Sequence, residues 1–402
     1  MNPAPPYEEE MPSLQKQKLG RVLALAGIIL VSLNLRAAIT SLSPIYDQIG
    51  KTFPLSPIAQ GILGMLPPLA FALFGYLAPR LVPKLGLERS LLLAMILVYV
   101  GQVSRSAVSN VWLFGILSAV CLAGMGMGNV FLPPMIKHYF PDRIGLLTSI
   151  YTALVAVSSA LPSLVAVPVT QTEGWRISTG MWAGLAFAAA VPWVLLIQGS
   201  HKPVQPGQPE KYSAWRWPTT WALVLVFGVG TINMYSMISW LPKILTSTAG
   251  VSQAVSGTML SIYNGVGFPH SLLVPSILAR TKRPFCVIVF ATTCLLVGYL
   301  GLACYPASAW GWIILAGLGL MFIPIGLTLI NLRSRTEDGA EALSGFVQAV
   351  GYLMGAAGPF IFGAFHFLTG AWTVGFWFLL GTALVGLGAG AVAVRPNCIE
   401  DV

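Results

Sequence analysis

Long apolar segments separated by short polar ones recur along the whole of this 402-residue chain. Twelve of them are long enough to cross the hydrocarbon core of a bilayer as helices. The sequence therefore predicts an all-α membrane protein with twelve transmembrane helices. The predicted spans are 21–46, 57–80, 88–108, 111–137, 143–168, 177–198, 218–246, 253–279, 284–304, 308–332, 341–368 and 371–394.

A long polar segment, rich in Pro, Gln, Lys and Ser, divides these spans six and six. When the second half of the sequence is aligned with the first at an offset of 196 residues, Gly257 matches Gly61 and Pro275 matches Pro79. This repeat favours two pseudo-symmetric six-helix bundles. The predicted division is an N-terminal tail 1–20, a first bundle 21–198, a linker 199–217, a second bundle 218–394 and a C-terminal tail 395–402.

Composition and charge agree with a membrane protein. Only 9% of residues are charged, against about 25% in soluble domains. The net charge of +9 does not indicate nucleic-acid binding, because the basic residues alternate by loop. With the N-terminus in the cytoplasm, 17 of the 22 Lys and Arg fall in inside segments. Both termini are thus predicted to be cytoplasmic. The outside segments hold Lys51, Arg105, Arg176 and Lys243.

The remaining basic residue, Arg36, lies inside the first apolar span. A charge at that depth costs roughly 2.5–3.5 kcal/mol, so it is expected to face a protein interior or a watery cavity. Guanidinium presents a planar fork of donors that suits carboxylate-like anions, and we predict that Arg36 contacts the substrate. The alternative is a structural role in binding helix carbonyls. Steps of three and four place one polar stripe on a continuous first helix: Ser32, Arg36, Thr40, Ser43 and Asp47.

Polar and aromatic side chains on other spans supply further candidate substrate contacts. Three of them have an alternative role. Asn129 could form a hydrogen bond between helices, and Trp240 could lie in the membrane interface. His270 could be a packed, neutral histidine. Small residues four apart predict close helix contacts at Gly124 and Gly128. The full candidate set is Arg36, Thr40, Asn129, Tyr151, Asn233, Trp240, Tyr263, Asn264, His270, Gln348 and Tyr352.

The polar loop after the second span, Gly75-Tyr-Leu-Ala-Pro-Arg80-Leu-Val-Pro-Lys84-Leu-Gly86-Leu-Glu-Arg89, resembles the signature cytoplasmic loop of the major facilitator superfamily. The resemblance implies that its glycines and basic residues hold an inner gate. This copy has Pro79 where the family usually has an Asp. Topological positive charge alone is the alternative explanation. The residues assigned to the gate are Gly75, Arg80, Lys84, Gly86 and Arg89.

A narrower resemblance covers most of the first half. Leu35-Arg36, Gly86-Leu-Glu-Arg-Ser-Leu91 and the block Gly126-Met-Gly-Asn-Val-Phe-Leu-Pro-Pro-Met-Ile-Lys137-His-Tyr-Phe-Pro141 resemble the cyanate and 2-nitroimidazole transporter family (CynX/NimT). It implies a secondary active or facilitative transporter in the bacterial cytoplasmic membrane. The expected cargo is small and polar or anionic: cyanate-like, nitroaromatic or a small carboxylate. Two bundles rocking about a central site would move it, and we expect a monomer.

Energy coupling stays open at this point. A proton could be carried by Asp47 or His270, or transport could be uniport or exchange. The chain has no phosphate-binding loop, no HExxH motif and no metal-ligand cluster, so no cofactor and no enzyme activity is predicted. A proton-coupled multidrug efflux antiporter is the rival function, but such a protein would favour a buried acid over a buried arginine.

Overall fold

The computed structural model describes residues 14–197 and 213–401, and within them the chain is helical with no strand. The predicted tail 1–20 and linker 199–217 lie largely outside the described residues, and the domain boundaries stay predictions. The helices of the first half are α1 (Leu14–Asn34), α2 (Ala37–Thr40), α3 (Tyr46–Gly50), α4 (Pro57–Leu77), α5 (Val82–Leu85), α6 (Leu87–Ala107), α7 (Val111–Tyr139), α8 (Ile144–Glu173), α9 (Trp175–Gly180) and α10 (Trp182–Ile197).

The second half repeats the plan of long helices joined by short turns. We refer below to the end of the molecule where α10 stops and α11 starts as the linker end, and to the opposite end as the far end. The helices are α11 (Pro218–Thr248), α12 (Gln253–Gly265), α13 (Gly267–Arg280), α14 (Phe285–Cys304), α15 (Ala309–Gly319), α16 (Phe322–Leu332), α17 (Glu337–Thr369) and α18 (Thr373–Ala393).

Eleven segments of the described chain are helical, long and apolar enough to cross a membrane. The twelfth predicted span, 253–279, is present as α12 and α13, which meet at Val266. This segment is less apolar than the other spans because it carries Asn264 and His270. The prediction of an all-α, multi-pass membrane fold is confirmed.

The first span is interrupted at its middle, so the expectation of one continuous helix with a single polar stripe is wrong. In an unbroken helix the Arg36 amide would donate to the carbonyl of Ser32. Here it donates to Oγ of Ser158 on α8 at 2.9 Å. The chain re-enters a helix at Ala37 and then passes through a 3₁₀ turn at Ser43–Ile45. The break therefore falls at the charged residue itself.

Arg105 is buried inside a span, which corrects its assignment to an outside loop. Helix α6 continues to Ala107, and the Arg105 side chain is 0% exposed. Its Nη1 and Nη2 atoms both donate to the Ala38 carbonyl at 3.2 Å. Gly101 lets α7 approach α6 closely, since a Cβ at this position would lie 2.5 Å from the Cys121 amide nitrogen. Arg36 is thus not the only buried basic side chain in a predicted span.

Glycines set several close helix contacts, as the small-residue pairs predict. A Cβ at Gly124 would lie 2.3 Å from the carbonyl oxygen of Ala94, so only glycine permits α7 to approach α6 there. At Gly128 the nearest atom, Cδ2 of Leu35, would lie at 3.1 Å. The predicted close packing is confirmed on this helix.

The two halves are joined at the far end. Gln48 donates to Gln253, Gln253 Nε2 donates to Asp47 Oδ2 at 3.0 Å, and Lys243 Nζ lies 3.5 Å from Gln60 Oε1. The backbones also approach closely, since a Cβ at Gly257 on α12 would lie 2.7 Å from the Ser163 carbonyl oxygen on α8. These contacts hold the far ends of the bundles together.

Candidate functional site

Arg36 lies at the interface of the two halves, and its main chain is fixed there. The residue is 9% exposed. Its amide is held by Ser158, and its carbonyl accepts from the Ile39 amide at 3.0 Å and from Thr40 Oγ1 at 3.3 Å. Thr40, a predicted substrate contact, is fully buried and supports the turn at this point. The break in the first span positions the guanidinium.

An aromatic wall lies beside the guanidinium. The Cζ atom of Arg36 lies 4.5 Å from the centre of the Phe71 ring. Phe71 of the first half contacts Tyr352 of the second half, with ring centres 5.5 Å apart. Tyr352 in turn meets Phe227 edge-on at 5.2 Å. The positive charge is therefore placed on a ring face at the seam between the bundles, a favourable cation–π arrangement.

Three phenol groups, from Tyr151, Tyr235 and Tyr352, interact electrostatically with the Arg36 guanidinium. The hydroxyl of Tyr151 donates to Asn129 Oδ1 at 3.3 Å, which adds a fourth predicted residue to the cluster. Nη1 of Arg36 is buried without a hydrogen-bond partner, and within 14–197 and 213–401 no carboxylate pairs with it. Such a site has a spare charged donor and flat walls, which suits a small planar anion.

Three members of this cluster, Phe71, Tyr235 and Ser158, are not among the residues predicted from the sequence. Phe71 gives no polar signal, so nothing distinguishes it from the other aromatic residues of its span. Tyr235 lies in a polar run of α11 but on another face than the one singled out by Asn233 and Trp240. Ser158 is one of several hydroxyls on its span, and only the tertiary structure shows that it anchors the helix break.

Two of the predicted contacts, Asn233 and Trp240, instead join helices of the second half. Asn233 Nδ2 donates to the Val229 carbonyl and to Thr382 Oγ1, at 2.7 and 3.1 Å. Trp240 is fully buried, and its Nε1 donates to the Pro359 carbonyl at 2.8 Å. These two side chains lie in helix–helix packing, and the structure does not bring them to Arg36.

Tyr263, Asn264 and His270 form a separate group at the junction of α12 and α13, where all three are buried. The Tyr263 hydroxyl lies 3.5 Å from the Asn233 carbonyl. Nδ2 of Asn264 and both ring nitrogens of His270 have no close hydrogen-bond partner in the described part of the chain. This group is polar and buried, and in the described part of the chain no hydrogen bond joins it to Arg36.

Gln348 lies one helical turn from Tyr352 on α17, toward the linker end. It is half-buried, and its Nε2 donates to Ser344 Oγ at 2.6 Å. The last predicted residue, Asp47, is exposed at the far end, where it accepts from Gln253. Gln348 therefore adjoins the Arg36 cluster, whereas Asp47 belongs to the junction of the halves.

The loop assigned to an inner gate has a constrained turn and exposed cations. Gly86 has φ +80° and ψ 165°, a conformation that only glycine adopts readily. Arg80 lies over the ring of Tyr76, with Cζ 3.7 Å from its centre, and also donates to the Tyr76 carbonyl. Lys84 and Arg89 are exposed, as is Gly75 on α4. The neighbouring Glu88 accepts from the Tyr139 hydroxyl at 3.0 Å, which ties the loop to α7.

No group of three or more His, Cys, Asp or Glu side chains that could hold a metal ion occurs among the residues described. The side chains around Arg36 are aromatic and hydroxyl-bearing.

Comparison with known proteins agrees with this architecture. The family model of the Major Facilitator Superfamily matches residues 25–359. The chain also resembles two solved structures over most of its length. A bacterial homologue of the human lysosomal transporter Spinster has a TM-score of 0.72 at 16% identity, covering 95% of this chain and 97% of that one. The nucleoside transporter NupG has a TM-score of 0.73 at 11% identity, covering 92% and 100%.

Relatives in sequence are more informative. The chain is 34% identical to the uncharacterized transporter YycB of Bacillus subtilis over 97% of this chain and 98% of that protein. It is 34% identical to the 2-nitroimidazole transporter of Escherichia coli, covering 91% and 93%, and 25% identical to its cyanate transport protein CynX, covering 90% and 94%. The chain therefore belongs to the Major Facilitator Superfamily, among the relatives of the cyanate and 2-nitroimidazole transporters.

Proposed function

We propose that this protein moves a small, planar anionic or strongly polar compound across the bacterial cytoplasmic membrane and that Arg36 binds it. One observation carries the proposal. A guanidinium with a free Nη1 lies buried between the two halves, and the described residues offer it no carboxylate. A buried, unpaired charge is costly, and an anionic cargo compensates it whenever it binds.

The shape of the cluster supports a narrow class of cargo. Phe71 and Tyr352 supply flat surfaces, and the phenols of Tyr151 and Tyr235 supply hydroxyls close to the charge. Cyanate-like ions, nitroaromatics and small carboxylates present planar groups that match these elements. The relatives whose names include cyanate and 2-nitroimidazole support this class without fixing the individual compound.

The distribution of contacts between the halves supports alternating access. The far ends are joined through Gln48, Gln253 and Lys243. Toward the linker end from Arg36, the polar side chains of Tyr151 and Gln348 are only half-buried. A molecule that closes at one end of a central site while remaining looser at the other suits a mechanism in which the bundles rock about Arg36.

Coupling to protons remains one option, with transport by uniport or exchange as the others. Asp47 takes part in the far-end junction, where it accepts a hydrogen bond from Gln253. His270 is buried beside the break between α12 and α13. The rival, a multidrug efflux antiporter, gains no support because the acidic side chains that the structure describes lie at helix ends and in loops.

Calorimetric titration of the purified protein with cyanate, 2-nitroimidazole and small carboxylates tests the proposal. At least one of these compounds should bind wild type, and Arg36→Ala should weaken that binding by about tenfold or more, as expected for a lost hydrogen bond to a charged group. Arg283→Ala, which removes an exposed guanidinium, is the matched control and should leave binding unchanged. Equal affinity in Arg36→Ala and wild type would overturn the proposal.

A further inference from the structure

A second buried guanidinium, that of Arg105, lines a small cavity on the far-end side of Arg36. The cavity is bounded by the first span, α4, α6 and α7 of the first half and by α11 of the second. The cavity volume is about 20 Å³. One water molecule needs roughly 10–15 Å³. Its polar lining residues are Ser43, Tyr46, Arg105, Ser118, Tyr235 and Ser239.

Hydrogen-bond donors are in excess around this cavity. A guanidinium has five N–H donors and no acceptor. Two of its nitrogens donate to the one Ala38 carbonyl, and Nε of Arg105 has no partner. The hydroxyls of Ser43, Ser118 and Tyr235 are also buried without a partner. Each of these groups can donate a hydrogen bond into the space that they share.

The charge of Arg105 is not balanced by protein. The side chain is fully buried, and within the described ranges no carboxylate pairs with it. One neutral carbonyl compensates a buried cation poorly, because the lost hydration of the charge is larger than one hydrogen bond restores. A water molecule would satisfy donors but would leave the charge unbalanced, whereas an anion does both.

We propose that this cavity binds one monovalent inorganic anion of halide size between Arg105 and the hydroxyls of Ser43 and Ser118. The volume excludes a ring-containing compound in this conformation, so the site is distinct from the proposed substrate site at Arg36. Tyr235 lines the cavity and also interacts with Arg36, so the bound anion lies next to that site.

Thermal unfolding of the purified protein tests this site. Sodium gluconate is replaced stepwise by sodium bromide at constant ionic strength, because gluconate is too large for the cavity. The melting temperature of wild type should rise and saturate, since a ligand that binds only the folded state stabilises it. Arg105→Gln should abolish the bromide response, and Ser118→Ala should weaken the apparent affinity severalfold while leaving Arg105 in place.

Arg36→Gln serves as the matched control and should keep the bromide response, which separates this site from the substrate site. A wild-type melting temperature that is the same in bromide and gluconate would overturn the proposal, because water alone would then occupy the cavity. A bromide response that Ser118→Ala leaves unchanged and Arg36→Gln removes would also overturn the proposal, because the anion would then bind at Arg36. The Ser118→Ala arm keeps the test decisive if Arg105→Gln does not fold.

Discussion

The guanidinium carbon of Arg36, at the break between α1 and α2, lies 4.5 Å from the centre of the Phe71 ring on α4. This contact matters because Phe71 also packs on Tyr352 of the second half. The position of the charge is therefore coupled to the seam along which the two bundles meet.

Replacing Phe71 by Leu should raise the KM for transport by about 2- to 30-fold, the range that a lost cation–π contact predicts. Leu keeps an apolar side chain but has no ring face to hold the guanidinium. Phe71→Tyr keeps the ring and should stay close to wild type. The concentration dependence of uptake into proteoliposomes measures both. An unchanged KM in Phe71→Leu would show that the ring does not position Arg36.

Gly257→Ala should open the far end. The added methyl would lie 2.7 Å from the Ser163 carbonyl oxygen, so α12 and α8 must separate. Gly265→Ala on the same helix is the control, because its methyl would lie 4.0 Å from its nearest neighbour, Cβ of Ala160 on α8.

The readout is a cysteine introduced at the buried Ser256, in a background without the native cysteines. A membrane-impermeant thiol reagent should modify it severalfold faster with Gly257→Ala than with Gly265→Ala. Equal rates in the two variants would mean that this contact does not close the far end.

Gly86→Ala in the loop after the second span should lower the melting temperature of the purified protein. A residue with a side chain at φ +80° and ψ 165° carries strain of about 1–3 kcal/mol. Gly75→Ala on α4 tests the opposite case, because its methyl would meet no atom within 4 Å. Replacing a helical glycine by alanine should stabilise α4 by about 0.5–1 kcal/mol. A Gly86→Ala protein as stable as Gly75→Ala would contradict this account of the loop.

The C-terminal segment should detach as pH falls. Oε1 of Glu400 accepts from the amides of Arg335 and Thr336, each at 2.9 Å, and from Thr336 Oγ1 at 2.8 Å. Desolvation raises the pKa of Glu400, but the hydrogen bonds from Thr336 and Arg335 outweigh it, and the net pKa is lowered. The stabilisation is therefore present above the ordinary Glu pKa and is lost as pH falls through the lower folded value.

Hydrogen exchange of the Arg335 and Thr336 amides, corrected for intrinsic rates, measures this effect. Protection should decrease in acid for wild type. Glu400→Gln should show reduced protection at neutral pH and no further acid-dependent loss. Protection that is the same for Glu400→Gln and wild type at neutral pH would count against the contact.

The helical plan could be predicted from sequence because length and hydropathy determine which segments cross a bilayer. Two features could not. The break at Arg36 depends on Ser158, which is 122 residues away and replaces an intrahelical hydrogen bond. Arg105 looks like a loop charge because it lies near the end of its span, and only the packing of α6 shows that it is buried.

The candidate site was predicted unevenly for a similar reason. The structure brings Arg36, Tyr151, Asn129 and Tyr352 together. Each could be predicted as a candidate because it is an unusual polar group in an apolar span, which the sequence shows directly. Asn233 and Trp240 are equally unusual, yet they satisfy neighbouring helices instead. Whether a polar group in a span faces a cavity or another helix depends on rotation of the helix, which composition does not specify.

Flux of a small planar anion into proteoliposomes, compared among wild type, Arg36→Lys, Arg36→Ala and Arg283→Ala, tests the central claim most directly. The account predicts full flux for wild type and Arg283→Ala, partial flux for Arg36→Lys because it keeps the charge but loses the fork, and near-background flux for Arg36→Ala. Wild-type flux of every transported anion through Arg36→Ala would contradict it.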